Sequence, residues 1–147
     1  MAASWKDRER RVTVYPYPGQ AGVPVSFQRL QEHPTPFPGA ADTVGYVVSL
    51  QASGYHALKV QGMALSRGAS HAPVAIRTAV PARTRTSSLP SSSLDGRLPA
   101  NAAMLAATAP LAAGTEYHVR ISGYVQATAG GPWTRFRTRT WSFTTAA

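Results

Sequence analysis

The chain has 147 residues, no cysteine, and a formal charge of +9 from 15 Lys and Arg against 6 Asp and Glu. Thiol catalysis, cysteine-ligated metal and disulfide staples are therefore excluded, and a single core at this length buries about 68–70% of the unfolded surface without them. No apolar run approaches the roughly 18 residues of a membrane span, and the segment from Met1 to Arg11 lacks the apolar stretch of a secretory signal.

Residues 1–10 mix charges around Trp5 with no period, so they are expected to form a tail or linker remnant, with one domain over 11–147. Val12 and Val14 alternate with Arg11, Thr13 and Tyr15, which predicts an edge strand. The run from Pro16 to Pro24 breaks it, because each proline removes a ladder donor. Residues 25–43 hold Pro34, Pro36, Pro38 and Gly39, and are expected to run as an extended surface loop. From Val44 a regular strand is predicted, with Val44, Tyr46, Val48 and Leu50 on one face. A turn at Ala52-Ser53-Gly54-Tyr55 leads to Leu58 and Val60, then to Met63 and Leu65. The parity slips by one at Gly62, the mark of a β-bulge. Ser66 to Ala72 reads as a second loop. Val74, Ile76, Thr78 and Val80 then alternate with Ala75, Arg77 and Ala79, a strand with its polar face outward. Pro81 to Pro99, rich in serine, reads as a long loop, and Asn101 to Ala107 as a short apolar segment around Met104 and Leu105.

The most patterned stretch runs from Pro110 to Phe143. Leu111 anchors a turn at Ala113-Gly114, after which Tyr117, Val119 and Ile121 recur with period two. The partner strand covers Thr134 to Thr145, with Trp141 and Phe143 on one side and Thr140, Ser142 and Thr144 on the other. Alanine over Ala102 to Ala113 favours helix locally, but Pro110 and Gly114 cut such a helix short. About seven short strands without a helix predict an all-β sandwich of immunoglobulin-like or fibronectin-like architecture with long Pro-rich and Ser-rich loops. Tyr117 is spaced to bond back across the preceding turn, as the tyrosine at such a corner does.

Three segments carry a resemblance: Tyr15-Pro16-Tyr17-Pro18-Gly19-Gln20-Ala21-Gly22-Val23-Pro24, Leu111-Ala112-Ala113-Gly114-Thr115-Glu116-Tyr117-His118-Val119 and Trp141-Ser142-Phe143-Thr144-Thr145. Together they resemble bacterial Ig-like, fibronectin type III-like domains of the cell-surface type. More narrowly, Ser26 to Leu50, with Glu32-His33-Pro34-Thr35-Pro36 and Gly45-Tyr46-Val47-Val48, is similar to the domain that follows CAP (SCP-like) domains in exported bacterial proteins. The resemblance implies a non-catalytic accessory or adhesion module of an exported protein, in the envelope or the medium, and it brings no site residues with it.

The residues point the same way. His33, His56, His71, His118 and the carboxylates show no metal-ligand spacing, and Ser91-Ser92-Ser93 sits in no Gly-x-Ser-x-Gly turn. No catalytic residue, metal or cofactor is therefore assigned. His118 falls opposite Tyr117 and Val119 and is expected in solvent. Alternation places Arg135, Arg137 and Arg139 on one face of the last strand, with Phe136 and Thr138 opposite. Trp141 and Phe143 share the arginines' parity, so a bulge near Arg139 to Thr140, or a strand end beyond the core, is needed.

The plainer reading of the arginines is a charged edge that discourages sheet-to-sheet pairing. Their abundance also follows from a GC-biased coding sequence, since all basic residues except Lys6 and Lys59 are arginine. The functional reading is a ridge for a polyanion, joined by Arg83 and Arg85, with Trp133 and Tyr124 available for stacking. Three functions stay open: a binding module for a protein or an anionic polysaccharide at the cell surface, acting through its loops; an Arg-rich binder of nucleic acid or an anionic wall polymer; and a subunit of a surface or virion assembly, packed through residues 16–43 and 81–99.

Overall fold

The computed structural model describes residues 10–28, 41–81, 84 and 98–147, and residues 92–95 through their backbone. In chain order the strands are β1 (Arg11–Tyr15), β2 (Ser26–Gln28), β3 (Thr43–Gly45), β4 (Val48–Ser53), β5 (Ala57–Arg67), β6 (Ala72–Pro73), β7 (Ile76–Pro81), β8 (Ser92–Asp95), β9 (Ala102–Ala107), β10 (Glu116–Gln126), β11 (Trp133–Arg135) and β12 (Arg139–Thr144). The fold is all-β, as expected. One sheet runs β1-β4-β9-β7-β8. The other runs β11-β10-β5-β6, with β12 pairing the same strand β10 further along, and β2 and β3 form a separate ribbon.

Apolar alternation explains how the two large sheets meet. Tyr117, Val119, Ile121 and Val125 from β10 turn inward with Leu58, Val60, Met63 and Leu65 from β5 and with Trp141 and Phe143 from β12. Val48, Leu50, Ala103, Leu105 and Val80 from the other sheet join them in one cluster. Leu50, Leu58, Leu105, Ile121 and Phe143 have no solvent exposure at all. Burying side chains of this size stabilises by about 1.5–3 kcal/mol each.

The parity slip at Gly62 is a bulge. Ser122 pairs with Gly62 while Gly123 pairs with Val60, so Gln61 is the extra residue on β5. Gly123 is obligatory there, because a Cβ on it would run into Lys59 O and come within 3.0 Å of Val60 Cα.

The corner forms as predicted. Ala112 N–H donates to Tyr117 Oη at 2.8 Å, and the Tyr117 ring stacks on Phe143 at 5.8 Å between centroids. Thr145 completes it: its hydroxyl donates to Ala112 O at 2.6 Å and accepts from Thr115 N at 2.9 Å. At the start of the domain the chain leaves β1 and changes sheet. Trp141 Nε1 donates to Pro16 O at 2.9 Å, Gly19 N to Ser142 O at 2.7 Å, and Val23 N to Thr144 O at 3.1 Å. Residues 19–23 thus lie alongside β12, bringing Val23 into the core.

Several expectations are corrected. Residues 44–51 are two strands with a break at Tyr46 and Val47, so Val44 and Val48 enter different clusters. The stretch 25–43 is not a loop throughout, since β2 pairs with β3; its proline-rich part, 29–40, lies outside the described residues. β7 does not turn a polar face outward. Its Thr78, Ala79, Val80 and Pro81 are all buried, because Phe27 and Val44 of the ribbon cover Ala79, Met104 and Ala106 on the outside of the sheet. The segment 81–99 contains β8, which pairs in parallel with β7. The loop after β5 is shorter than expected, with a turn at 68–71 before β6. Among the described residues twelve strand segments replace the seven expected, because breaks divide two of the expected strands, into β3 and β4 and into β11 and β12, and β2, β6 and β8 lie in stretches expected as loops.

Candidate functional site

Inward positions on β10 are odd-numbered, so Glu116, His118, Arg120, Ser122, Tyr124 and Gln126 form a row on the outer face of the second sheet. Tyr124 pairs with Lys59 on one side and Arg135 on the other. The three side chains therefore stand abreast, with the two cationic residues two strand spacings, roughly 10 Å, apart at the backbone. Gln126 pairs with Trp133, which adds a second ring beside the first.

The contacts fix this group. Lys59 Nζ lies 4.8 Å from the Trp133 ring centre and 5.3 Å from that of Tyr124. Arg135 Cζ lies 5.3 Å from the Tyr124 ring centre; its Nη2 donates to Tyr124 Oη at 2.9 Å and to Gln61 Oε1 at 3.5 Å. Gln61, two residues on from Lys59, shares its outward parity. Gln126 Nε2 donates to Gly131 O at 2.8 Å, tying the β10–β11 turn to the same platform. Exposed cation–π contacts are worth only about 0.5–1 kcal/mol each, so they orient the cations while leaving their charge available to an anion.

Next to the ladder the face is flat, since Ser122 pairs with Gly62, and Arg120 pairs with Ala64 and Thr140. Arg120 rises from these small neighbours and is exposed. At the far end His118 Nε2 sits 3.2 Å from Glu116 Oε1, with the His71 ring 4.1 Å from that of His118. Lys59, Arg120 and Arg135 thus share a face on which, among the described residues, the one carboxylate is Glu116, close to His118. His118 is half-buried by these contacts rather than open to solvent as expected, its side chain retaining 21% of its surface.

Of the residues singled out from the sequence, Arg135, Tyr124 and Trp133 come together. The arginine stripe does not. Ile121 pairs with Arg139 but Tyr124 with Arg135, so the link 136–138 inserts one extra residue and reverses the parity within the stripe. The irregularity falls before Arg139 rather than at Arg139 to Thr140. Arg135 faces out, Arg137 is exposed on the link, and Arg139 takes the inward parity of Trp141, with Nε buried and lacking a hydrogen-bond partner. Phe136 fills the core at the link. Arg83 and Arg85 lie outside the described residues. Sequence reasoning missed Lys59, Gln61 and Arg120. Arg120 was available from its even position on β10, whereas Lys59 and Gln61 needed the partner strands to be known.

Among the described residues no three His, Asp or Glu side chains are arranged to hold a metal ion. The chain matches no protein-family model, and no curated protein is similar to it in sequence.

Proposed function

We propose that this chain is a non-catalytic, immunoglobulin-like binding module that engages an anionic polysaccharide through the face built on Lys59, Tyr124 and Arg135. The Ig-like part of this reading is supported by strand order: β1-β4-β9-β7 facing β12-β10-β5 corresponds to the ABED and GFC sheets of that architecture, and Tyr117 occupies the corner position. The resemblance of the chain ends to exported bacterial surface domains supports reading the module as an accessory or adhesive part of a protein that acts outside a bacterial cell.

The observation that carries the ligand class is the pair of cations held on either side of Tyr124. Their aromatic partners are occupied from within the molecule, which disfavours the base stacking that single-stranded nucleic acid requires. Carboxylate or sulfate groups along a sugar polymer need only the fixed charges. Retention on immobilised heparin, hyaluronate and alginate tests this, with duplex DNA as the comparison. The native protein should be retained by at least one of the polysaccharides and released as salt rises. The Lys59→Ala, Arg135→Ala double variant, checked by circular dichroism, should bind about tenfold or more weakly. Unchanged retention of that variant, or stronger binding to DNA than to every polysaccharide, would overturn the assignment.

A further inference from the structure

A second surface feature lies apart from the cationic face, where the chain leaves β1. Tyr17 and Tyr15 are the large hydrophobic side chains exposed among the described residues, at 62% and 37%. A lone exposed tyrosine needs no explanation. These two, however, are in ring contact, 5.3 Å between centroids and 82° between planes. Tyr46 adds a third ring 6.4 Å from Tyr15. The Tyr46 hydroxyl is raised above the ordinary phenol range, first by its hydrogen bond with Tyr15, then by burial and by the Tyr15 charge.

The backbone under the rings is fixed at successive residues. Pro16 is buried, and its carbonyl accepts from Trp141 Nε1. Tyr17 N–H donates to Gln20 Oε1 at 2.9 Å, and Tyr17 O accepts from Gln20 N at 2.9 Å. Gly19, at φ 78°, bonds to Ser142 O. Prolines on both sides of Tyr17 restrict the chain further. A bulky apolar side chain is thus presented to water on a turn that cannot fold it away, and a ligand meeting it finds the ordering cost of the turn already met.

The surroundings narrow the ligand. Among the described residues the exposed chain neighbours Thr13, Pro18, Gly19, Ala21 and Gly22 are small or polar. That suits a partner with one apolar face and hydrophilic edges better than a protein, whose stable contact requires about 1,000 Å² or more. We propose that Tyr15 and Tyr17 form a stacking site for a hexopyranose ring of a polysaccharide. One ring takes the C–H face of the sugar, and the second, set nearly perpendicular, walls its edge, with the phenol hydroxyls within reach of the sugar hydroxyls. The site needs no charge, so it stands independently of the cationic face.

Titration of the protein with cello-, laminari-, chito- and mannohexaose, followed by NMR of the aromatic protons, tests the proposal. At least one of the four should shift the Tyr15 and Tyr17 ring signals saturably, with the same affinity at low and high salt. Tyr17→Ala should weaken it about tenfold or more, Tyr17→Trp should retain it, and the Lys59→Ala, Arg135→Ala variant should leave it unchanged. The proposal fails if none of the four sugars moves these signals, if Tyr17→Ala binds like the native protein, or if a proline-rich peptide moves them where the sugars do not.

Discussion

Tyr117 shows how one hydroxyl joins segments distant in the chain. Its ring stacks on Phe143 from β12, while its oxygen accepts the Ala112 amide of the preceding turn. Replacement by Phe keeps the ring and leaves that amide without its partner. The expected cost is about 1 kcal/mol or somewhat more, read as a lower denaturation midpoint at unchanged slope; an unchanged midpoint would count against the corner. Tyr117 was legible because a turn, an anchoring Leu111 and period-two spacing meet there. Thr145 was not. As one of several terminal threonines it resembles a frayed end, and only the fold shows its hydroxyl between Ala112 O and Thr115 N.

At the scale of elements, alternation located breaks only where it was itself broken. Leu58 and Val60 followed by Met63 and Leu65 disclosed the bulge, because two apolar pairs of opposite parity cannot share a face of a regular strand. Between Arg135 and Trp141 the letters alternate without fault; the parity that the arginines share with Trp141 and Phe143 required an irregularity, but nothing marked its place at 136–138, where it sends Arg135 outward and Arg139 inward. The break at Tyr46 and Val47 was equally silent, since apolar residues continue through it and both faces of the neighbouring sheet are covered. The bulge also leads to a prediction about Gly123. A methyl group there meets Lys59 O and Val60 Cα, both backbone atoms that cannot yield as a side chain would. Gly123→Ala should therefore destabilise by about 1–3 kcal/mol. It should also displace Lys59 from its two rings, so amide exchange should quicken at Lys59 and Val60 while the far end of β5, near Leu65, stays protected. Uniform exchange along β5 would contradict this.

For the whole molecule, the decisive feature is the chain's passage from one sheet to the other at residues 16–23. β1 pairs with β4 in the first sheet, and the residues that follow bond to β12 in the second, so the sandwich is stitched along one side by main chain as well as by core packing. Trp141 secures the crossing point, its ring 7% exposed in the core and its Nε1 on Pro16 O. Trp141→Phe keeps most of the apolar volume and removes that one donor. Leaving the buried carbonyl unpaired should cost about 1–3 kcal/mol. The loss should be felt first where the crossing segment is held, with faster exchange at the amides of Gly19, Val23 and Thr144, whose acceptors lie across the seam. The β4–β9 ladder, away from the seam in the first sheet, should keep its protection. Because Tyr17 stands on the same segment, the variant should also broaden the Tyr15 and Tyr17 ring signals while the Lys59–Tyr124–Arg135 ladder, resting on β5, β10 and β11, stays in place. If the ladder moved together with the tyrosines, the two surfaces would belong to one cooperative unit, and their separate assignment would not hold.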